Sequence, residues 1–76
     1  MDFEQLKQII ADTCSSVDTD EITEDSSFKD LGLDSLDLAQ VVFAVESELQ
    51  IDIDPDILEE IVTVGDALEA IQEAQR

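Results

Sequence analysis

The chain has no histidine, no tryptophan and no tyrosine, one cysteine, one proline and two glycines. Without histidine, the commonest general base near neutral pH is missing. With Phe3, Phe28 and Phe43 as the full set of aromatics, the core must be aliphatic, built from Leu, Ile and Val. A single cysteine excludes an intramolecular disulfide. Positive charge is nearly absent: 3 Lys and Arg stand against 21 Asp and Glu, a formal net charge of -18. Such a field repels nucleic-acid phosphates and anionic lipid surfaces, and it attracts basic proteins. No nucleic-acid role is expected. Neither a signal peptide nor a long apolar run is visible, so no membrane insertion and a cytoplasmic location are expected.

What is present fits one small domain, residues 1–76, expected as a monomer. A chain of 76 residues buries only roughly 60% of its unfolded surface, so its stability is marginal. Its aliphatic periodicity nonetheless opposes disorder.

Phe3, Leu6, Ile10, Cys14 and Val17 recur every three or four residues and predict a first amphipathic helix, widened by Ile9 and capped by Asp2. Residues 18–33 show no period and predict a long loop, pinned by Ile22, Phe28, Leu31 and Leu33, with Gly32 supplying a turn. A second helix is expected from about Ser35 to Leu49, with Asp34 as N-cap and Asp37 at the third helical position. Leu38, Val41, Val42, Val45 and Leu49 gather on its inner side. Leu36, Gln40, Phe43 and Ser47 fall on the outer side, flanked by Asp37, Glu46 and Glu48. Asp54-Pro55 predicts a short third helix directing Ile57, Leu58 and Ile61 inward. Thr63 caps a last helix carrying Val64, Ala67, Leu68 and Ile71, with Gly65 weakening its first turn. The expected fold is all-α: a small four-helix bundle of three main helices and a short third one, with a long loop between the first two.

Ser35 stands out at the mouth of the second helix. It lies on the surface among carboxylates, with no histidine to take its proton, and Lys7 and Lys29 are the only lysines. A catalytic serine needs such a base, so no catalytic residue is assigned and no enzyme is expected. A helix start does favour a phosphate attached there. Cys14 lies on an inward stripe and reads as a small buried hydrophobe. The alternating acids at Asp18 and Asp20, and at Asp52, Asp54 and Asp56, resemble the start of a calcium loop. Such a loop needs Gly at its sixth position and Glu at its twelfth. Thr23 and Lys29 occupy those places in the first case, Ile57 and Thr63 in the second, so no specific metal site is expected.

The run Leu31-Gly32-Leu33-Asp34-Ser35-Leu36-Asp37 resembles the modification site of the acyl carrier protein family. The likeness continues through Val41 to Leu49, through Ile61-Val62-Thr63-Val64, and in length and acidity. It implies that a phosphopantetheinyl transferase attaches 4′-phosphopantetheine from coenzyme A to Ser35, and that acyl groups ride on the arm as thioesters. It also implies a pocket between the second and third helices, for which Leu38, Val41, Val45, Ile53, Leu58 and Ile61 are candidates. By the same resemblance, Asp34, Leu36, Asp37, Gln40, Phe43, Glu46 and Glu48 form a surface for acyltransferases, ketosynthases and other enzymes with basic patches. Gln40 and Ser47 stand where many fatty-acid carriers have an acid, and Phe43 where Met is common. The implied role is a carrier in dissociated (type II) fatty-acid synthesis. A carrier dedicated to a polyketide, lipid-modification or aminoacyl pathway, and an unmodified acidic adaptor for basic proteins, are the alternatives.

Overall fold

The computed structural model describes residues 1–75, so the last residue of the expected 1–76 domain lies outside the described residues. Three α-helices organise the chain: α1 (Phe3–Thr13), α2 (Ser35–Leu49) and α3 (Val64–Ala74). Two short 3-10 segments, Thr19–Glu21 and Pro55–Glu59, lie in the connections. No strand forms among the described residues, apart from one isolated antiparallel bridge between Ser27 and Thr63. The all-α class is as expected.

Two expectations need correction. The short third helix is a 3-10 segment of 5 residues. Pro55 sits at its start and Asp54 Oδ1 caps it from the Asp56 N–H at 2.9 Å. Four acids in the seven residues from Asp54 to Glu60 give that segment little reason to extend. The first helix ends at Thr13 with Cys14 as its C-cap, so Val17 lies beyond it, although its side chain is buried. The polar run Thr13 to Ser16 offers turn-forming side chains that compete with helical hydrogen bonds.

Each α-helix begins with a reciprocal capping box: Asp2 with Gln5, Asp34 with Asp37, and Thr63 with Asp66. In each, the cap side chain accepts the N–H three residues on, and that residue's side chain accepts the cap N–H. These bonds satisfy two of the backbone donors that a helix start leaves over. Registers are therefore fixed at the first residue of each helix.

The core is aliphatic, as expected. Leu6 and Ile10 of α1, Val41 and Val45 of α2, and Val64 and Ile71 of α3 are its most completely buried large side chains. The long loop is tied down by Val17, Ile22, Phe28 and Leu33, all buried, while Leu31 is partly buried. Its backbone is stitched to the segment entering α3. Phe28 N–H donates to Val62 O at 3.0 Å, Val64 N–H to Ser26 O at 2.9 Å, and Gly65 N–H to Glu24 O at 2.9 Å. A Cβ at position 65 would lie 3.0 Å from Glu24 O, so glycine there admits the loop backbone against α3. Gly32 takes φ +80, the left-handed turn that delivers the chain to Asp34.

Helix α2 closes with Gln50 in the left-handed region, at φ 56 and ψ 49. The Gln50 and Ile51 N–H groups both donate to Glu46 O. A non-glycine residue there carries a steric cost of about 1 kcal/mol. Gln50→Gly should therefore raise unfolding stability by a few tenths to about 1 kcal/mol, read as a higher urea midpoint by circular dichroism. A lower midpoint would mean that the Gln50 side chain outweighs its backbone strain.

Candidate functional site

Ser35 is the first residue of α2, directly after the N-cap, and its side chain is exposed. Among the described residues no hydrogen bond engages its hydroxyl. The capping box just beneath it is formed by Asp34 Oδ1 accepting the Asp37 N–H at 3.0 Å and Asp37 Oδ2 accepting the Asp34 N–H at 3.3 Å. The Asp37 N–H is the main reason that the Asp34 carboxyl is held below its ordinary value of 3.8. The exposed serine thus sits at the positive end of the helix dipole, beside a carboxylate that stays ionised into acid.

An open groove of about 470 Å³ adjoins Ser35. Asp34, Ser35 and Lys29 line its polar side. Its apolar lining comes from Phe28 and Leu33 of the loop, Leu38 of α2, and Leu58, Ile61 and Val62. A smaller groove of about 270 Å³, between the Pro55–Glu59 segment and α3, includes Ile57, Ala70, Glu60 and Glu69, and contains no serine or thiol.

Of the six apolar residues expected around a pocket, Leu38, Leu58 and Ile61 meet at the Ser35 groove. Val41, Val45 and Ile53 do not line it and are packed in the closed core. Helical register alone cannot separate these groups, because both point inward. Phe28, Leu33 and Val62 line the groove without having been singled out for it. In the run Ile61-Val62-Thr63-Val64, Val62 is the one apolar side chain that remains exposed, at 60%.

The outer face of α2 is arranged as its periodicity predicts. Leu36 is 65% exposed and Phe43 is 70% exposed, with Gln40, Ser47 and Glu48 exposed beside them. Two acids of this face are already occupied. Asp37 belongs to the capping box, and Glu46 Oε2 accepts the Ile53 N–H at 3.0 Å in a partly buried setting.

Among the described residues nothing at the serine activates it. Lys7 is on α1, 3.2 Å from Glu4. Lys29 lines the groove but makes no hydrogen bond to Ser35 among the described residues. Cys14 is buried, and its thiol is pushed up by burial and then by the charge of Asp37. That is opposite to the shift a nucleophilic thiol needs. Among the described residues no group of three or more acids or thiols is gathered into a metal site, and no helix is long and apolar enough to cross a membrane.

Residues 4–71 match the family model described as "Phosphopantetheine attachment site". The chain is also 49% identical over 72 residues to the acyl carrier proteins of Clostridium perfringens strains SM101 and 13, covering 93% of this chain and 93% of each relative. The chain belongs to the acyl carrier protein family. Its matched span runs from α1 into α3 and includes the loop, α2 and the whole groove. The family's cofactor is 4′-phosphopantetheine, and the role that goes with membership is a carrier of acyl groups on that arm. The residues present suit it: a free, exposed serine hydroxyl at a helix start, opening onto an apolar groove.

Acid should weaken the helix starts in a defined window. Asp34 and Asp66 both have lowered carboxyl pKa values, Asp66 because the Thr63 and Val62 N–H groups donate to it. A group with a depressed folded pKa stabilises above its unfolded value and loses that contribution as pH falls through the folded one. The stability gap between wild type and Asp34→Asn should therefore shrink as pH falls below about 4. Thermal melts of both proteins, with Glu69→Gln as a control for relieved charge repulsion, check this. A gap independent of pH would remove Asp34 as an ionised cap.

Proposed function

We propose that the Ser35 hydroxyl is the attachment point of 4′-phosphopantetheine, and that the chain carries acyl intermediates in dissociated fatty-acid synthesis. The observation that carries this reading is the unengaged Ser35 hydroxyl at the start of α2, beside an apolar groove of about 470 Å³. In the loading step Ser35 Oγ forms a bond to phosphorus, its proton leaves, and the pyrophosphate bond of coenzyme A breaks, releasing the nucleotide. Among the described residues no group is hydrogen-bonded to the hydroxyl to take that proton, so a phosphopantetheinyl transferase supplies the base. The attached arm provides a terminal thiol on which acyl groups are held as thioesters. The chain is therefore a substrate of its partners rather than a catalyst.

Leu38, Leu58 and Ile61, with Phe28, Leu33 and Val62, give the groove the apolar lining that suits an acyl cargo. Val41, Val45 and Ile53 lie in the core and extend the pocket only if it opens. Leu36 and Phe43 serve as apolar anchors on the outer face of α2, where exposed aromatics and aliphatics concentrate binding energy. Asp34, Asp37, Gln40 and Glu48 surround them, and Glu46 shares their face. The negative field steers acyltransferases and ketosynthases with basic patches toward this side. A monomer in the cytoplasm fits that role.

Incubation with coenzyme A, Mg²⁺ and a broad-specificity transferase should add the mass of one phosphopantetheinyl group, and Ser35→Ala should gain none. No gain, under conditions that load a control carrier, would favour the unmodified adaptor. Leu36→Ala and Phe43→Ala should each lower kcat/KM for a malonyl-transfer enzyme by roughly tenfold with unchanged helicity. Loss of helicity in either variant would reverse the assignment of inner and outer faces.

A further inference from the structure

Glu46 has the register of a docking acid, but its contacts are those of a clamp. Its backbone carbonyl accepts the N–H groups of Gln50 and Ile51, the latter at 3.2 Å. Its carboxylate reaches seven residues along the chain, where Oε2 accepts the Ile53 N–H at 3.0 Å. One residue thus holds three of the four N–H groups between Gln50 and Ile53. Ile53 is buried, and the next residue, Asp54, caps the Pro55–Glu59 segment.

That segment makes no hydrogen bond to any α-helix among the described residues. Ile57 N–H donates to Asp54 O, Glu60 N–H to Ile57 O, and Asp56 N–H to Asp54 Oδ1, all within the segment or its caps. Beyond it, the chain is next tied at Val62, through Phe28 N–H to Val62 O and Val62 N–H to Asp66 Oδ2. Backbone anchoring of residues 54–61 therefore comes from Glu46 at one end and Val62 at the other. Leu58 and Ile61, which line the Ser35 groove, lie in this span.

We propose that Glu46 is a positioning residue, whose carboxylate latches Ile53 and so holds the Leu58–Ile61 wall of the groove at its distance from α2. The consequence for cargo rests on the carrier reading above; the latch itself does not. Its requirement is reach and an acceptor oxygen, whereas a docking acid requires negative charge. Glu46→Gln keeps the reach and an acceptor and loses the charge. Glu46→Asp keeps the charge and is one methylene too short.

The test is carried out first on the unmodified full-length chain. Amide exchange of Ile53 is measured relative to Val45, with the order parameters of the Leu58 and Ile61 methyl groups. Glu46→Asp and Glu46→Ala should speed Ile53 exchange by roughly tenfold and loosen both methyl groups, while Glu46→Gln stays within roughly threefold of wild type. On the loaded protein, hydroxylamine cleavage of an octanoyl thioester should accelerate in the same order. Should Glu46→Ala fail to fold, the Asp and Gln variants decide the question. The proposal is overturned if Asp behaves as wild type while Gln behaves as Ala, if all variants exchange alike, or if thioester reactivity ignores the latch. Failure of Ser35 to load at all would instead count against the carrier reading, and the exchange and methyl measurements would still judge the latch.

Discussion

Asp37 gives its backbone N–H to Asp34 Oδ1 at 3.0 Å, and takes the Asp34 N–H on its own Oδ2 at 3.3 Å. Two carboxylates so placed would ordinarily repel. Here both face the positive end of α2, where unsatisfied N–H groups and the helix dipole favour negative charge. This pair sets the first residue of the helix, and that start sets the phase of every later position. Ser35 falls outside, Leu38 falls on the groove, Val41 and Val45 fall in the core, and Leu36 and Phe43 face solvent. A start displaced by one residue would rotate all of them by about 100°.

The composition has a second consequence. With a formal net charge of -18, the chain has little electrostatic cohesion, and its folded state rests on aliphatic packing and capped helix starts. The same excess of acid denies the serine an activating partner, since carboxylates close to Ser35 oppose an anionic intermediate. Display without activation suits a group that other proteins modify. Of the three acids on α2, Asp37 and Glu46 are committed to holding backbone, and Glu48 makes no such bond among the described residues.

Much of this was legible in the sequence because helix starts and faces are local properties. Asp34, Asp37 and the inward period from Leu38 to Val45 placed α2 at Ser35–Leu49, and the serine motif carried the family. What was not legible depends on contacts between distant segments. Gly65 reads as a weak point in a helix, but in the fold it lets Glu24 O approach to where a Cβ would be only 3.0 Å away. Glu46 reads as a surface acid by its angle on the helix, and only the path of the following turn brings Ile53 N–H to it. Val41 and Val45 share the inward side with Leu38, yet they are packed in the core and line neither of the two grooves. Pro55 marked a helix start correctly, but five residues rich in acid close only as a 3-10 turn.

On the proposed reading, local geometry at the start of α2, rather than chemical reactivity, selects Ser35 for modification. The chain has six serines: Ser15, Ser16, Ser26, Ser27, Ser35 and Ser47. Fragmentation mass spectrometry of the transferase-treated protein measures which of them bears the phosphopantetheinyl group. The account predicts that all of it sits on Ser35, with the other five unmodified. Phosphopantetheine on any of those five, in the native fold, would contradict it.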